Sequence, residues 1–390
     1  MSAAAARAPV YLDYAATTPV DPRVAAAMSE CLCADGVFGN PASTTHGFGI
    51  EAARRVERAR EQVAALIGAS PREIIFTSGA TEANNLAILG VARANADRGR
   101  HLITSRTEHK AVLDPAGRLE REGFSVTYLT PGRDGLIDPL ALRDALRAET
   151  QLVSIMHANN ETGVVQNLDV LADECRRAAV LLHTDACQSV GKVDFNVART
   201  SVEFAAFSAH KIYGPKGMGA LYVRESARPR IGPIMFGGGH ERLLRSGTLP
   251  THQIAGFGRA AELIAADWQT EQRRCLALRD SLWHSLAAIG DVHLNGHPTE
   301  RLPNILNASF AGVEGESLVT GLAEIAVSTG SACSSASREA SYVLRALGRS
   351  TQLAQSSLRI SFGRFTSAAD LSLAAEVIRR EVERLRRVAP

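Results

Sequence analysis

An α/β architecture, with a mainly parallel sheet and a smaller α+β unit beside it, is what this 390-residue sequence predicts. Short apolar runs alternate with amphipathic helical patterns between residues 74 and 185, as strands and crossover helices of a parallel sheet do. Polar residues gather where those runs end, at the edge where such sheets hold ligands. Beyond residue 254 a long helical pattern leads into a second, shorter set of strands and helices. With 45% hydrophobic and 22% charged residues the chain has material for two domains and a large core.

In chain order, Y-L-D-Y-A-A-T-T (11–18) reads as extended and closes in a Thr-Thr-Pro turn. A helix begins near Pro22 and is expected to carry Cys31 and Cys33 on its apolar face. G-N-P-A-S (39–43) is a loop, and a helix over 49–66 repeats Ala53, Val56, Ala59, Val63 and Leu66 at helical spacing. A strand at 74–76 then meets a small-residue turn and a helix from about Thr81. The glycine and the hydroxyls of Thr77, Ser78 and Thr81 suit an anion at a helix N-terminus, although plain capping explains the turn equally well. The nucleotide-binding G-x-x-x-x-G-K-[ST] pattern is absent.

Strand-like H-L-I-T-S-R, S-V-T-Y-L, L-V-S-I-M-H and V-L-L-H-T-D follow, separated by helices over 112–122, after Asp138 and after Asn167. Their ends carry Glu108 and His109, then His157, Asn159 and Asn160, then Asp185 and Gln188. Next, V-E-F-A-A-F-S-A-H-K-I-Y-G-P-K-G-M-G-A-L-Y-V (202–223) sets Lys211 between strands at 204–207 and 220–223, with glycines and a proline forcing the turn. After the long helical stretch, with a boundary near 262, come V-H-L-N, N-I-L-N-A-S-F, a helix after Gly315, the loop A-V-S-T-G-S-A-C-S-S-A-S and the strand L-R-I-S-F. A final helix aligns Leu371, Ala374, Ile378, Val382 and Leu385 on one stripe.

A net charge of +2 and 5% aromatics leave no electrostatic footprint for nucleic acid. The N-terminus lacks a signal-peptide apolar region and no apolar run approaches a membrane span, so no membrane partner and a cytoplasmic location are expected. Six cysteines show neither C-x-x-C pairs nor zinc-ligand spacing, and no resident metal is expected. Of 43 basic residues only Lys110, Lys192, Lys211 and Lys216 are lysines. A guanidinium stays protonated, whereas a desolvated amine condenses with a carbonyl, so only these four could hold an aldehyde cofactor. Lys211 is the best placed. Asp185 is suited to a pyridinium nitrogen, although a lone strand-end aspartate is more often a helix cap; His109 is suited equally to a ring face or to solvent.

S-A-H-K-I-Y-G-P-K-G, S-G-A-T-E-A-N-N, T-E-H-K, H-A-N-N-E-T-G, H-T-D-A-C-Q-S-V-G-K, G-G-G-H-E-R-L-L-R-S-G-T and S-T-G-S-A-C-S-S together resemble the cysteine desulfurases of the class V aminotransferase superfamily, in the IscS-type branch. The resemblance runs over 11–385. It implies the fold-type I architecture, a homodimer, and a pyridoxal 5'-phosphate domain over 15–262. A small domain of 1–14 and 263–390 would carry the catalytic cysteine loop. By the same resemblance Lys211 matches the cofactor lysine and proton shuttle, while Ala80, Thr81, Ser208 and His210 match cofactor positions about the phosphate. Thr248 matches the residue reaching the neighbouring subunit's phosphate. His109 matches the ring-stacking group, Asp185 the pyridinium partner, and Asn160 and Gln188 residues near the ring, Asn160 also facing substrate. Arg359 matches the clamp for the substrate carboxylate, and Cys333 the nucleophile.

That resemblance implies conversion of L-cysteine to L-alanine with a persulfide left on Cys333. Its sulfur would pass to acceptor proteins of iron–sulfur cluster assembly or of tRNA and cofactor thiolation, with Cys333 transiently touching a nascent cluster. A thiol of ordinary pKa, about 8.5, is only a few per cent ionised at neutral pH, so the site must help deprotonate it. Selenocysteine lyases and other class V enzymes share the cofactor residues, and a non-catalytic sulfur carrier is the rival of another class. Cys187 stands where the family usually has threonine and is expected to serve packing alone. The sequence ends at Pro390, whereas housekeeping members continue into a scaffold-docking segment, which leaves scaffold docking open.

Overall fold

A computed structural model of the chain describes residues 8–329 and 340–388. The chain enters as β1 (Val10–Tyr11) and, after an irregular stretch, forms α1 (Pro22–Ser29) and α2 (Gly47–Leu66). Asp21 caps α1, its side chain accepting from Arg23 N at 3.0 Å, with Pro22 in the first turn. The helix stops at Ser29 instead of running through Cys31 and Cys33. The carbonyl of Glu30 is taken by Val37 N at 2.8 Å, and the chain doubles back so tightly that a Cβ on Gly36 would lie 2.2 Å from that oxygen. Cys31 is buried there but Cys33 is exposed, which corrects the expectation of a shared helical face.

The next elements are β2 (Ile74–Thr77), α3 (Ala80–Ala94), β3 (His101–Ser105), α4 (Lys110–Arg121), β4 (Ser125–Leu129), α5 (Pro139–Ala145), β5 (Thr150–Ser154), α6 (Leu168–Arg177), β6 (Leu181–Asp185), β7 (Phe204–Ser208) and β8 (Gly219–Val223). They build a seven-stranded sheet in the order β2-β8-β7-β6-β5-β3-β4. Within it β8 runs antiparallel to both its neighbours and the other pairings are parallel. Strand residues divide between two faces with the period of two that the pleat imposes. Phe76, Ile103, Val153, Phe207 and Tyr222 pack with α1, α2, α6 and the first half of the long helix, whereas Ile75, Leu102, Leu152, Phe204 and Leu221 pack with α3 and α4. Burial on both faces is why these strands read as unbroken apolar runs.

The 37-residue helix α7 (Thr251–Ala287) joins the sheet to the rest. Ile254, Phe257 and Ile264 sit in the core under the sheet, while Cys275, Leu282 and Leu286 sit in a second apolar cluster. That cluster is built around β9 (Val292–Leu294), β10 (Ile305–Phe310), α8 (Gly315–Thr320), β11 (Ile325–Ala326), β12 (Ser357–Ser361) and α11 (Ala368–Val388), with α9 (Tyr342–Ala346) and α10 (Thr351–Gln355) lying between β11 and β12 in the chain. β12-β10-β9 form an antiparallel sheet, and β1 pairs in parallel with β11. The stripe of Leu371, Ala374, Ile378, Val382 and Leu385 on α11 is buried in it. The N-terminal strand therefore belongs spatially with the C-terminal third of the chain. Residues 12–18, which follow it, run back toward the ends of the large sheet's strands.

Candidate active site

The carboxyl ends of β2, β3, β5, β6 and β7 surround a cavity of about 620 Å³. Ala80, Thr81, His109, Asn160, Asp185, Gln188, Ser208, His210, Lys211 and Arg359 all line it, so residues spread over 280 positions of sequence meet in one place. Thr248 lines a separate cavity of about 200 Å³, which shares Ser78, Gly217 and Met218 with the first. Cys333 lies outside the described residues.

Lys211 ends a 3-10 turn, Ala209–Lys211, that follows β7 directly. Its backbone is held because Ala209 N donates to Met218 O across the β7–β8 connection, and Tyr213 N donates to Thr18 Oγ1 at 2.9 Å. The amine donates to the carbonyls of Ala15 and, at 2.7 Å, Ala16. Gln188 Nε2 also donates to Ala15 O, at 2.8 Å, and Gln188 Oε1 accepts from Lys192 Nζ at 3.0 Å. Burial, and then the charge of Lys211, push the Lys192 amine down to about 7. His210 Nδ1 lies 3.1 Å from Thr17 Oγ1, and burial together with Lys211, Lys216 and Lys192 takes its imidazole down to about 4, so it is neutral at pH 7.

At the end of β6, Asp185 Oδ2 accepts from Asn84 Nδ2 at 2.7 Å and Oδ1 from Cys187 N at 2.9 Å. Asn84, on the cavity side of α3, escaped the sequence reading, since its pairing with Asp185 spans 101 positions. Cys187 also lines the cavity, with Sγ 3.7 Å from Ser208 Oγ. Burial and the Asp185 charge push this thiol well above its ordinary range, which keeps it from being a thiolate. His109 caps α4, accepting from Ala111 N at 3.0 Å, and its ring lines the cavity.

The segment after β5 corrects part of the expected cluster. Met156, Ala158 and Asn160 line the cavity, so the intervening residues point elsewhere. His157 packs its ring 5.3 Å from Phe195, and burial takes it down to about 4. Asn159 holds a tight turn, its Oδ1 accepting from Glu161 N and Thr162 N at 2.9 Å. Glu108 is buried beneath this turn with Oε1 accepting from Met156 N at 2.7 Å. Desolvation raises it well above the usual carboxylate range. Glu161 accepts from Ser341 Oγ at 2.5 Å, and burial lifts it to about 7 against the opposing charges of Arg359 and His109.

These residues fit pyridoxal 5'-phosphate. The N-terminus of α3 is capped by Gly79 at φ 155° without a side-chain cap, a Cβ there would meet no atom within 4 Å, and residues 78–82 line the cavity, with Ser78 N donating to Glu82 at 2.7 Å. Gly219 makes that approach feasible, for a Cβ on it would fall 2.7 Å from Gly79 Cα. Thr81, Ser208, His210 and Lys216 line the same cavity. Asn84 Oδ1 is buried without a partner beside Asp185, a polar lining that suits a heteroaromatic ring better than an apolar ligand. Among the described residues no group of three or more His, Cys, Asp or Glu is arranged to hold a metal, and no helix is long and apolar enough to cross a membrane.

The class-V aminotransferase family matches residues 10–373. The cysteine desulfurase IscS of Pectobacterium atrosepticum is 55% identical over 98% of this chain and 95% of its own length. That of Aeromonas hydrophila is 56% identical over the same shares. Among solved structures, a NifS-like protein superposes with a TM-score of 0.89 at 36% identity, covering 97% of this chain and 100% of its own. One described as SspA in complex with cysteine reaches 0.80 at 37% identity, covering 92% of this chain and 100% of its own. Matches this long, at these identities, agree with the cavity and its lysine: the chain belongs to the class-V aminotransferases, in the branch of the IscS-type cysteine desulfurases.

Proposed function

We propose that this protein is a pyridoxal 5'-phosphate-dependent cysteine desulfurase, which converts L-cysteine to L-alanine and leaves the sulfur on Cys333 as a persulfide. The observation that carries this reading is that Lys211 and Arg359, from opposite parts of the chain, line one cavity. An amine that can hold an aldehyde and a guanidinium that can hold a carboxylate are what an α-amino acid substrate requires.

When bound, the cofactor supplies an electron sink for charge developing at the substrate α-carbon. The α3 N-terminus, Ala80, Thr81, Ser208 and His210 would hold its phosphate, and Thr248 would reach the phosphate of a second subunit. Asp185, steadied by Asn84, would hold the ring nitrogen, His109 would cover the ring face, and Asn160 and Gln188 would meet the ring edge. Lys211 Nζ takes the proton from the substrate α-carbon and returns it. Arg359 orients the substrate carboxylate, and the Cys333 thiolate attacks the substrate sulfur. The carbon–sulfur bond breaks, sulfur joins Cys333, and carbon gains the proton. Cysteine plus thiol gives alanine plus persulfide, so no outside oxidant is needed.

The same reading carries a homodimer, delivery of sulfur to acceptor proteins of iron–sulfur assembly or thiolation, and action in the cytoplasm. The division into 15–262, and 1–14 with 263–390, is supported by the two apolar clusters that share α7. The test is the Cys333→Ser variant with L-cysteine. Alanine release should fall to background while the cofactor absorbance still shifts on adding cysteine, because a serine hydroxyl is a far weaker nucleophile toward sulfur. Alanine release near the wild-type rate would place the acceptor thiol elsewhere.

A further inference from the structure

Arg359 is buried, with its side chain only 4% exposed, and its guanidinium is already engaged. Nη1 donates to Asn160 O at 2.9 Å and Nη2 to Asp13 Oδ1 at 2.7 Å, while Nε is buried without a partner among the described residues. A guanidinium offers a carboxylate two bidentate edges, Nε with Nη2 or Nη1 with Nη2. Both include Nη2, the nitrogen that Asp13 holds. Nε belongs with Nη2 to the side-on edge, so a carboxylate that takes that edge also meets the nitrogen held by Asp13.

We infer that Asp13 is a specificity-determining residue, which places Arg359 and makes the substrate carboxylate share Nη2 with a second carboxylate. This rests on Arg359 being the substrate clamp. The fold fixes Asp13 for the task. It follows β1, bridges to Ser361 two residues beyond Arg359, and Arg359 is itself bridged to Ser328. A buried arginine needs a counter-ion when no substrate is present, and Asp13 supplies it. Glu161, the other carboxyl that feels the Arg359 charge, is held near half-protonation at neutral pH by its burial and donates less of that compensation.

With Asp13 present, the clamp and its counter-ion sum to zero charge, so the site gains little from a ligand's carboxylate beyond its hydrogen bonds. Removing the charge while keeping an acceptor for Nη2 sharpens selection for an anionic ligand. Asp13 keeps part of its side chain, 22%, in contact with water, which softens the repulsion, so the expected effect is moderate.

The experiment is an equilibrium titration of the holoenzyme's cofactor absorbance with L-alanine and with L-alaninamide, which differ in the carboxylate. In Asp13→Asn the preference for the acid over the amide should rise about fivefold, through tighter acid binding. Asp13→Ser, which also keeps an acceptor, should move the same way and serves if the first variant does not fold. An unchanged preference, or weaker acid binding, would overturn the inference and leave Asp13 a packing group. Arg359→Gln separates the two readings: it should bring the preference close to one, and a preference that survives it would overturn the clamp assignment itself.

Discussion

Lys192 gives the most direct test of the site's electrostatics, because its amine is desolvated and faces Lys211 with only an amide, Gln188, as hydrogen-bond partner among the described residues. Its pKa falls from 10.5 to about 7 on folding. Between those values the unfolded chain binds a proton that the folded chain does not, so this group makes stability rise with pH. Below pH 7 its full cost is present, and the cost disappears as pH passes 10.5. At about 1.4 kcal/mol per pH unit in the steep range, folded protein should gain about 2 kcal/mol from pH 7 to pH 9 through this group alone. Lys192→Met removes the term, so the variant should be the more stable protein near pH 6, with its advantage shrinking by about 2 kcal/mol between pH 7 and pH 9. Urea unfolding of cofactor-free protein, at one protomer concentration and four pH values, measures the difference. Lys110→Met, at an exposed lysine over the Tyr342 ring, controls for loss of a charge. Parallel curves for wild type and Lys192→Met would refute the argument and mean that the amine stays hydrated.

Glu241 accepts two bonds from buried Arg60, at 2.7 and 2.8 Å, and one from Phe76 N at 2.6 Å. Glu241→Gln leaves that guanidinium with the more exposed Glu57, 3.1 Å from Nε, as its carboxylate partner and should cost up to about 3 kcal/mol in denaturant unfolding. Lys211→Ala should lack the cofactor's visible absorbance band, and a normal band with the reduced lysine adduct mapped to residue 110, 192 or 216 would overturn the assignment. Cys187→Thr should keep sulfide release within a few-fold of wild type, because the thiol it replaces is protonated and only packs against Ser208; a collapse in turnover with the absorbance band intact would show a second sulfur carrier. Glu161 is raised from 4.5 to about 7, so wild-type stability should fall as pH climbs between those values, and Glu161→Gln should flatten that fall by up to about 3 kcal/mol.

What the sequence made legible were features that report locally. Strands buried on both faces announce themselves as apolar runs, and the residue at the end of each run is carried to the sheet's carboxyl edge by topology alone, which is how Asp185, His109 and Lys211 could be placed. What stayed hidden depends on approach between distant segments. Asn84 meets Asp185 and Asp13 meets Arg359 across 101 and 346 positions, and neither pair leaves a periodic trace. His157 departs from the cluster because Met156, Ala158 and Asn160, past the end of β5, face the cavity and alternate side chains turn away from it. Cys31 and Cys33 were misplaced for a different reason: nothing in helical periodicity announces that Glu30 O will be claimed by Val37 N.

The charge pattern around the cavity follows from which carboxyls keep their protons. Lys211, Lys216 and Arg359 line it and Lys192 stands behind Gln188, an excess of positive groups that would be costly to bury together without anions. The nearby carboxyls do not all supply them. Glu108 is driven to its protonated form by burial and by the Asp185 charge, and Glu161 is brought close to neutral pH. Asp185 and Asp13 differ in having donors aimed at both their surroundings and the cavity: Asn84 and Cys187 N for one, Arg359 for the other. Protonation of Glu108 removes one negative charge from beside the cavity and Glu161 carries only part of one at pH 7, while Glu82, which also lines the cavity, is offset by Arg245 at 2.8 Å, so Lys211, Lys216 and Arg359 outweigh Asp185 and Asp13 and leave a positive field for a dianionic phosphate and a substrate carboxylate. Glu108→Gln, isosteric with the protonated acid, should therefore leave cofactor affinity within about twofold of wild type, whereas Asp185→Asn should weaken it by tenfold or more. Equal losses in the two variants, read from equilibrium titration of cofactor absorbance, would mean that Glu108 is ionised in the folded protein and that the field described here is wrong.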